Sequence, residues 1–191
     1  MGNNRVPMHV ISRDAPCYYL TSVAKNRLPV FRAELIKSVT CAALDEARRS
    51  GQFALYAYVI MPDHLHLISD PTLSIAKTLQ FINGITGHRI IQYLKANNHL
   101  SSLEKLRRSQ SRNRRGYVYS LWDHHPDARV LFTENMLMQR VTYTHQNPVR
   151  ANLVERPTEY RWSTVRCWEK AILADEPLRM DIQRIKWRRS L

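Results

Sequence analysis

Apolar residues along this chain recur with two different periods, and the alternation between them predicts the fold. Cys17-Tyr18-Tyr19-Leu20-Thr21-Ser22-Val23 is aromatic and β-branched and reads as a first strand. Over 31–49, Leu35, Ile36, Val39, Ala42, Ala43 and Leu44 return at helical spacing, with Ser50-Gly51 as the predicted C-cap. Strands over 53–60 and 64–69 follow, joined by the tight connection Met61-Pro62-Asp63 and therefore antiparallel. A second helical stripe runs from Leu73 through Leu79, Ile82, Ile90 and Leu94 to about 95, and Gly84 and Gly87 in its middle allow a kink. The segment 117–122 reads as the start of a fourth strand, interrupted at His124-His125-Pro126 and continued over 128–132. Thr133-Glu134-Asn135 caps a further helix that Pro148 is expected to end at about Asn147.

The order strand, helix, strand, strand, helix, strand, helix is that of an α+β, ferredoxin-like split βαβ fold. It predicts an antiparallel sheet with helices on one face, plus an extra C-terminal helix and a basic tail. Residues 1–16 are polar and contain Pro7 and Pro16, which predicts a loose arm. The folded domain is expected over 17–154, with a basic insertion at about 97–116 and an extension over 155–191.

Charge adds a partner to this picture. In 191 residues, 29 Lys and Arg stand against 16 Asp and Glu, a formal net charge of +13, which attracts polyanions and nucleic acid first among them. The cations concentrate in two runs: Lys105, Arg107, Arg108, Arg112, Arg114 and Arg115 in the insertion, and Arg184, Lys186, Arg188 and Arg189 in the tail. Both are candidate contacts to a phosphate backbone. Trp162, Trp168 and Trp187 lie among the basic residues of the tail, where they can either stack on bases or dock the tail onto the domain. Three scattered cysteines, Cys17, Cys41 and Cys167, form no disulfide or zinc-ribbon pattern and suit a reducing cytoplasm. No run has the apolar length of a signal peptide or a membrane span, so a soluble cytoplasmic protein associated with the nucleoid is expected.

The candidate chemistry begins at His64 and His66. Side chains two apart on a strand share a face, so both imidazoles converge while Leu65 and Leu67 turn into the core. Two neutral imidazoles suit a divalent ion or a pocket for phosphate oxygens, although two histidines on a half-exposed strand are also ordinary polar surface. Tyr143 and Asn147 are four apart on the last helix and bring a phenol and an amide oxygen to one face. A helical tyrosine is ordinarily packing. His145 lies on another face of that helix and reads as a neighbour, and His124-His125 would point opposite ways on a strand.

Taken together, Tyr-Val-Ile-Met-Pro-Asp-His-Leu-His-Leu-Ile over 58–68, Tyr-Thr-His-Gln-Asn-Pro-Val-Arg-Ala-Asn-Leu-Val over 143–154 and Tyr-Arg-Trp-Ser-Thr over 160–164 resemble the REP-associated tyrosine transposases. These are a branch of the single-tyrosine HUH transposases of bacterial insertion sequences, and the resemblance spans roughly 18–168. It implies that His64-Leu65-His66 holds a divalent cation, Mg²⁺ or Mn²⁺, which polarises the scissile phosphate of single-stranded DNA. It implies that Tyr143 attacks that phosphorus, leaving a 5′-phosphotyrosyl link and a free 3′-hydroxyl, and that Asn147 completes the metal site. The implied substrate is hairpin-bearing single-stranded DNA from short palindromic REP repeats with a guide tetranucleotide. Many relatives carry a hydrophobic residue and a glycine where this chain has Gln146 and Asn152.

Such a metal is chemically apt, because a phenol with a pKa near ~10 is a weak nucleophile at neutral pH unless a cation favours its phenolate. Two other classes compete. One is a non-catalytic nucleic-acid-binding module that stacks bases on Tyr56 and Tyr58. The other is a zinc hydrolase, which needs a strong third ligand. Monomer and homodimer both stay open, since relatives can exchange the tyrosine helix between copies. A monomer has to place Tyr143 over its own histidines.

Overall fold

The structure, a computed structural model, describes residues 8–108, 118–123 and 126–188. Four strands, β1 Cys17–Val23, β2 Leu55–Ile60, β3 His64–Ser69 and β4 Asp127–Leu131, form one antiparallel sheet in the order β2-β3-β1-β4. This is the expected split βαβ arrangement, in which the two crossovers are the helices α1 Glu34–Gly51 and α2 Ile75–Ala96.

Alternation along β1 and β3 sorts side chains between two apolar layers. Leu20, Leu65 and Leu67 go with Tyr58 to the layer shared with Leu44, Ile82 and Ile90 of α1 and α2. Cys17, Tyr19 and Ile68 go to the other, where Leu137 and Val141 of α4 Glu134–Arg150 cover them. The crossover helices thus share one face, and the extra helix lies on the opposite one. Two further helices, α3 Leu100–Arg108 and α5 Val165–Trp168, complete the described set.

Several local expectations shift. The α1 residue with left-handed backbone is Gln52 (φ 54°), one place beyond the expected glycine. Gly51 is small for a different reason: a Cβ there would stand 2.7 Å from the Phe53 ring. The α2 helix runs unbroken through Gly84 and Gly87. The fourth strand is Asp127–Leu131 alone, because Trp122 makes only an isolated bridge to Ala24. His124 and His125 lie outside the described residues.

The largest departure is at Pro148, which lies inside α4 and does not end it. Proline removes only one amide donor there, and closure comes beyond it. The amides of Ala151, Asn152 and Leu153 bond the carbonyls of Asn147, Val149 and Pro148 at 3.0, 2.9 and 2.9 Å. Asn152 takes a left-handed φ of 53°. Asparagine is among the residues that tolerate that conformation, which glycine most often takes after a helix.

The extension after α4 is woven into the domain. Ser163 pairs with Val59 along the outer edge of β2, where the Ile60 amide donates to the Trp162 carbonyl and the Thr164 amide to the Tyr58 carbonyl. Tyr160 Oη donates to the Ile60 carbonyl at 2.6 Å, Trp162 Nε1 to Glu34 at 2.6 Å and Trp168 Nε1 to the Tyr56 carbonyl at 2.9 Å. The Tyr-Arg-Trp-Ser-Thr segment therefore covers a sheet edge that would otherwise present unpaired backbone groups. Of the two readings of the tail tryptophans, docking holds for Trp162 and Trp168. The arm is docked as well over its described part: His9 bridges Ile185 and bonds Tyr56 Oη at 2.8 Å, and Ile11 is buried.

Candidate active site

His64 opens β3 directly after a turn that is pinned from the side. The Met61 amide closes the turn onto the His64 carbonyl, while the loop after β1 grips it through Ala24 N to Asp63 O (2.8 Å) and Phe31 N to Pro62 O (2.9 Å). On the sheet, His64 stands opposite Val23 and His66 opposite Thr21. The two imidazoles meet edge to face, with ring centroids 4.8 Å apart.

Each imidazole is held through Nδ1. That of His64 lies 2.6 Å from Asp63 Oδ1, and Arg27 holds the other carboxylate oxygen at 3.0 Å. Burial works to raise the Asp63 pKa, but bonds to His64 and Arg27 bring it below the ordinary carboxylate value, so the group is an acceptor. His64 Nδ1 must then be the donor. His66 Nδ1 lies 2.8 Å from Tyr19 Oη and 3.0 Å from Thr21 Oγ1, two hydroxyls able to accept. Anchoring of Nδ1 by a carboxylate or hydroxyl is the arrangement that orients metal-binding histidines. Burial, with help from His64 and Arg140, pushes the His66 pKa down to about 3, so this imidazole is neutral at physiological pH.

The α4 helix lays Tyr143 over this pair. Thr133 accepts from the Met136 amide to start the helix, and Leu137 and Val141 seat it on the sheet. His145 fixes its rotation by bonding Thr164 Oγ1 at 3.0 Å, which makes it a buried anchor. The Tyr143 ring then stands 5.7 Å from His66 and 6.3 Å from Tyr19, and its hydroxyl has no hydrogen bond among the described residues. Asn147 Nδ2 donates to the Tyr143 carbonyl at 2.8 Å, which fixes the amide and leaves Oδ1 as its available donor atom. One chain thus brings Tyr143 alongside its own histidines.

Among the described residues no three His, Cys, Asp or Glu side chains are grouped to hold an ion. The two imidazoles by themselves, with ring centroids 4.8 Å apart, offer only two nitrogen ligands, an open and incomplete set. It suits an oxygen-seeking cation that keeps water and substrate oxygens.

The cationic candidates are dispersed. Lys105 and Arg107 are exposed on α3, which packs through Leu103 and Leu106 into the α1–α2 layer, on the side of the sheet away from Tyr143, and Arg107 is paired with Glu104 at 2.8 Å. The Arg108 side chain, Arg112, Arg114, Arg115 and Arg189 lie outside the described residues. Arg184 faces inward to Asp70 at 3.5 Å. Lys186 and Arg188 are exposed, and the Arg188 amide bonds Glu134 at the start of α4. Tyr56 and Tyr58 are 0% and 1% exposed and cannot stack on bases.

Tyr19, Thr21, Asp63, Arg140 and Arg150 complete the site without standing out in the sequence. Tyr19 and Thr21 read only as strand residues until pairing sets β1 against β3. The one signal available for Arg140 and Arg150 is their spacing of three and seven residues from Tyr143.

The buried histidines give the fold an acid limit. Burial pushes His145 down to about 4 as well, from an ordinary 6.5. Both histidines are neutral when folded and free to protonate when unfolded, so stability is unaffected above pH 6.5 and falls as pH drops toward their folded values. By about pH 4.5 each should cost roughly 2 kcal/mol. Melting in chelator should shift steadily down from pH 7 to 4.5, and His145→Gln should flatten part of that slope. A melting temperature constant over this range would refute the assignment.

Comparison with known proteins agrees with the fold. The family described as Transposase IS200 like matches residues 15–118, more than half of the chain, a stretch that contains both histidines and ends before α4. A REP-associated tyrosine transposase solved bound to a REP hairpin superposes with a TM-score of 0.54 at 15% identity, over 95% of this chain and 93% of that one. A proposed transposase from Deinococcus radiodurans R1 gives a TM-score of 0.46 at 19% identity, over 75% of this chain and 93% of its own. No curated protein matches the chain.

Proposed function

The chain belongs to the IS200-like transposases, and from that premise we propose that it nicks and rejoins single-stranded DNA at hairpin-forming palindromic repeats through a covalent bond to Tyr143. The observation that carries this reading is the phenol of Tyr143 standing beside an oriented imidazole pair, with no hydrogen bond to its hydroxyl among the described residues. The similar REP-associated enzyme was solved with a REP hairpin, which supports the same class of substrate here.

In this reading His64 Nε2, His66 Nε2 and Asn147 Oδ1 would hold Mg²⁺ or Mn²⁺. The cation, when bound, would withdraw charge from the non-bridging oxygens of the scissile phosphate. Tyr143 loses its proton and its oxygen attacks phosphorus. The P–O3′ bond breaks and the 3′ oxygen leaves as a hydroxyl after taking a proton. The 5′-phosphotyrosyl bond conserves the phosphodiester energy, so a 3′-hydroxyl can reverse the step on the same or another strand. Asp63 and Tyr19 keep the imidazoles in the tautomer that presents Nε2. Tyr143 lies beside the histidines of its own chain, so this reading takes the monomer as the working unit, with the docked segment 151–164 holding α4 to its own sheet.

The test is a denaturing gel of the protein with a labelled hairpin oligonucleotide carrying its native flanking repeat, in Mg²⁺ or Mn²⁺ and in chelator. A slow protein-linked band that requires metal is expected. Binding without any adduct on several such hairpins would refute the covalent reading. A second expectation concerns Asp63: Asp63→Ala frees the His64 ring and should weaken metal affinity by about 10- to 100-fold. A titration of Mn²⁺ against adduct yield would show this as a rightward shift with the same plateau. An unshifted curve would remove Asp63 from the site.

A further inference from the structure

Among the described residues, the cations nearest the nucleophile belong to neither charge run of the sequence. Arg140, Tyr143, Asn147 and Arg150 follow one another at spacings of three, four and three, which sets them in one stripe along α4. The Arg140 guanidinium lies 5.3 Å from the Tyr19 ring centre and 5.7 Å from that of Tyr143, and the Arg150 guanidinium lies 5.0 Å from the Tyr143 ring. A cleft of about 620 Å³ opens at this place, lined by Gln139, Arg140, Thr142, Tyr143 and Arg150 among others.

These two arginines differ from most of their kind in the protein. Arg27, Arg48, Arg89, Arg166 and Arg184 each meet a carboxylate. Among the described residues Arg140 and Arg150 meet none, and Arg140 is half-buried in that state. A guanidinium placed over an aromatic ring still offers its planar fork of N–H donors to a bidentate anion. Retaining an unneutralised cation beside a second one is unfavourable unless an anion visits the cleft. No acidic side chain among the described residues lines it, and the substrate class proposed above is a polyanion.

We propose that Arg140 and Arg150 form a phosphate clamp that seats the backbone of the single strand along α4 and so presents its phosphodiester to Tyr143. The proposal rests on the DNA-nicking reading for the identity of the anion. It assigns the binding of the reacting strand to the tyrosine helix. The ring contacts make the role specific to arginine, because a lysine ammonium has no planar fork to stack and aim.

The clamp is tested by binding, independently of chemistry, in full-length Tyr143→Phe protein with a hairpin oligonucleotide bearing a single-stranded flank. Arg140→Gln and Arg150→Gln should each weaken binding about tenfold or more. Each should also flatten the plot of log affinity against log salt by about 0.7, the value for one lost phosphate contact on a single strand. On a series of oligonucleotides with one neutral methylphosphonate each, the deficit of a variant should vanish at one particular linkage, which a merely structural defect would not do. Unchanged salt slopes in both variants, or deficits that persist at every linkage, would overturn the clamp. If the wild type still forms its adduct in that case, the nicking reading stands without the clamp. If the slopes flatten but no adduct forms with any metal, the clamp stands and the covalent reading fails.

Discussion

Tyr143→Phe should eliminate the protein-linked DNA band and strand rejoining together, a loss of at least about 10⁴-fold, while leaving the fold untouched. The size follows from the role: a phenyl ring has no oxygen to form the bond to phosphorus, and the histidine pair cannot replace a missing nucleophile. The absence of a folding effect follows from the geometry. The Tyr143 hydroxyl has no hydrogen bond among the described residues, so its removal strands no buried partner, and melting should stay within roughly 0.5 kcal/mol. The ring contacts to His66, Arg140 and Arg150 survive in phenylalanine. Tyr19→Phe is the informative contrast, because it deletes an oxygen 2.8 Å from His66 Nδ1. If Tyr143→Phe retained metal-dependent nicking with no adduct, the cation would be activating water, and the site would be hydrolytic.

Ending the chain at Val154, where the sequence suggests a domain limit, is expected to yield no folded protein. The residues lost include Tyr160, Trp162, Val165, Leu178, Met180 and Ile185, whose exposures range from 2% to 8%. Each buried apolar side chain of this kind contributes about 1.5–3 kcal/mol, so together they supply roughly 10 kcal/mol, comparable to the ~5–15 kcal/mol net stability of a typical domain. The truncation also uncovers the β2 edge and strips His145 of Thr164, loosening the helix that carries Tyr143. Expression of residues 1–154 should give aggregated material without a cooperative melt. A soluble fragment with a sharp melt and an intact adduct would show that 155–191 is an appendage, contrary to its packing.

Much of this protein is determined by sequence alone, for reasons of short range. Strand and helix periods depend on neighbouring residues, so β1, β3 and the order of the ferredoxin-like plan can be read directly. The convergence of His64 and His66, and of Tyr143 and Asn147, follows from spacing within one element. The roles attached to those residues come from the resemblance of three motifs to a family, since neither His-x-His nor a helical tyrosine carries such meaning unaided.

What only the tertiary structure decided depends on contacts between residues distant in the chain. Pro148 is carried inside α4 because amides beyond it close the helix. Tyr56 and Tyr58, which could pass for an exposed stacking surface, are buried in opposite layers, Tyr56 beneath the arm and tail at His9 and Ile185 and Tyr58 against Cys41 of α1. Tyr19 and Thr21 become partners of His66 only through the register of β1 on β3, about 45 residues away in sequence. The cations beside Tyr143 are two isolated arginines, because proximity to the nucleophile depends on position along α4 and not on local charge density. The docking of that helix on its own sheet, fixed by His145 and Thr164, sets Tyr143 beside the histidines of the same chain.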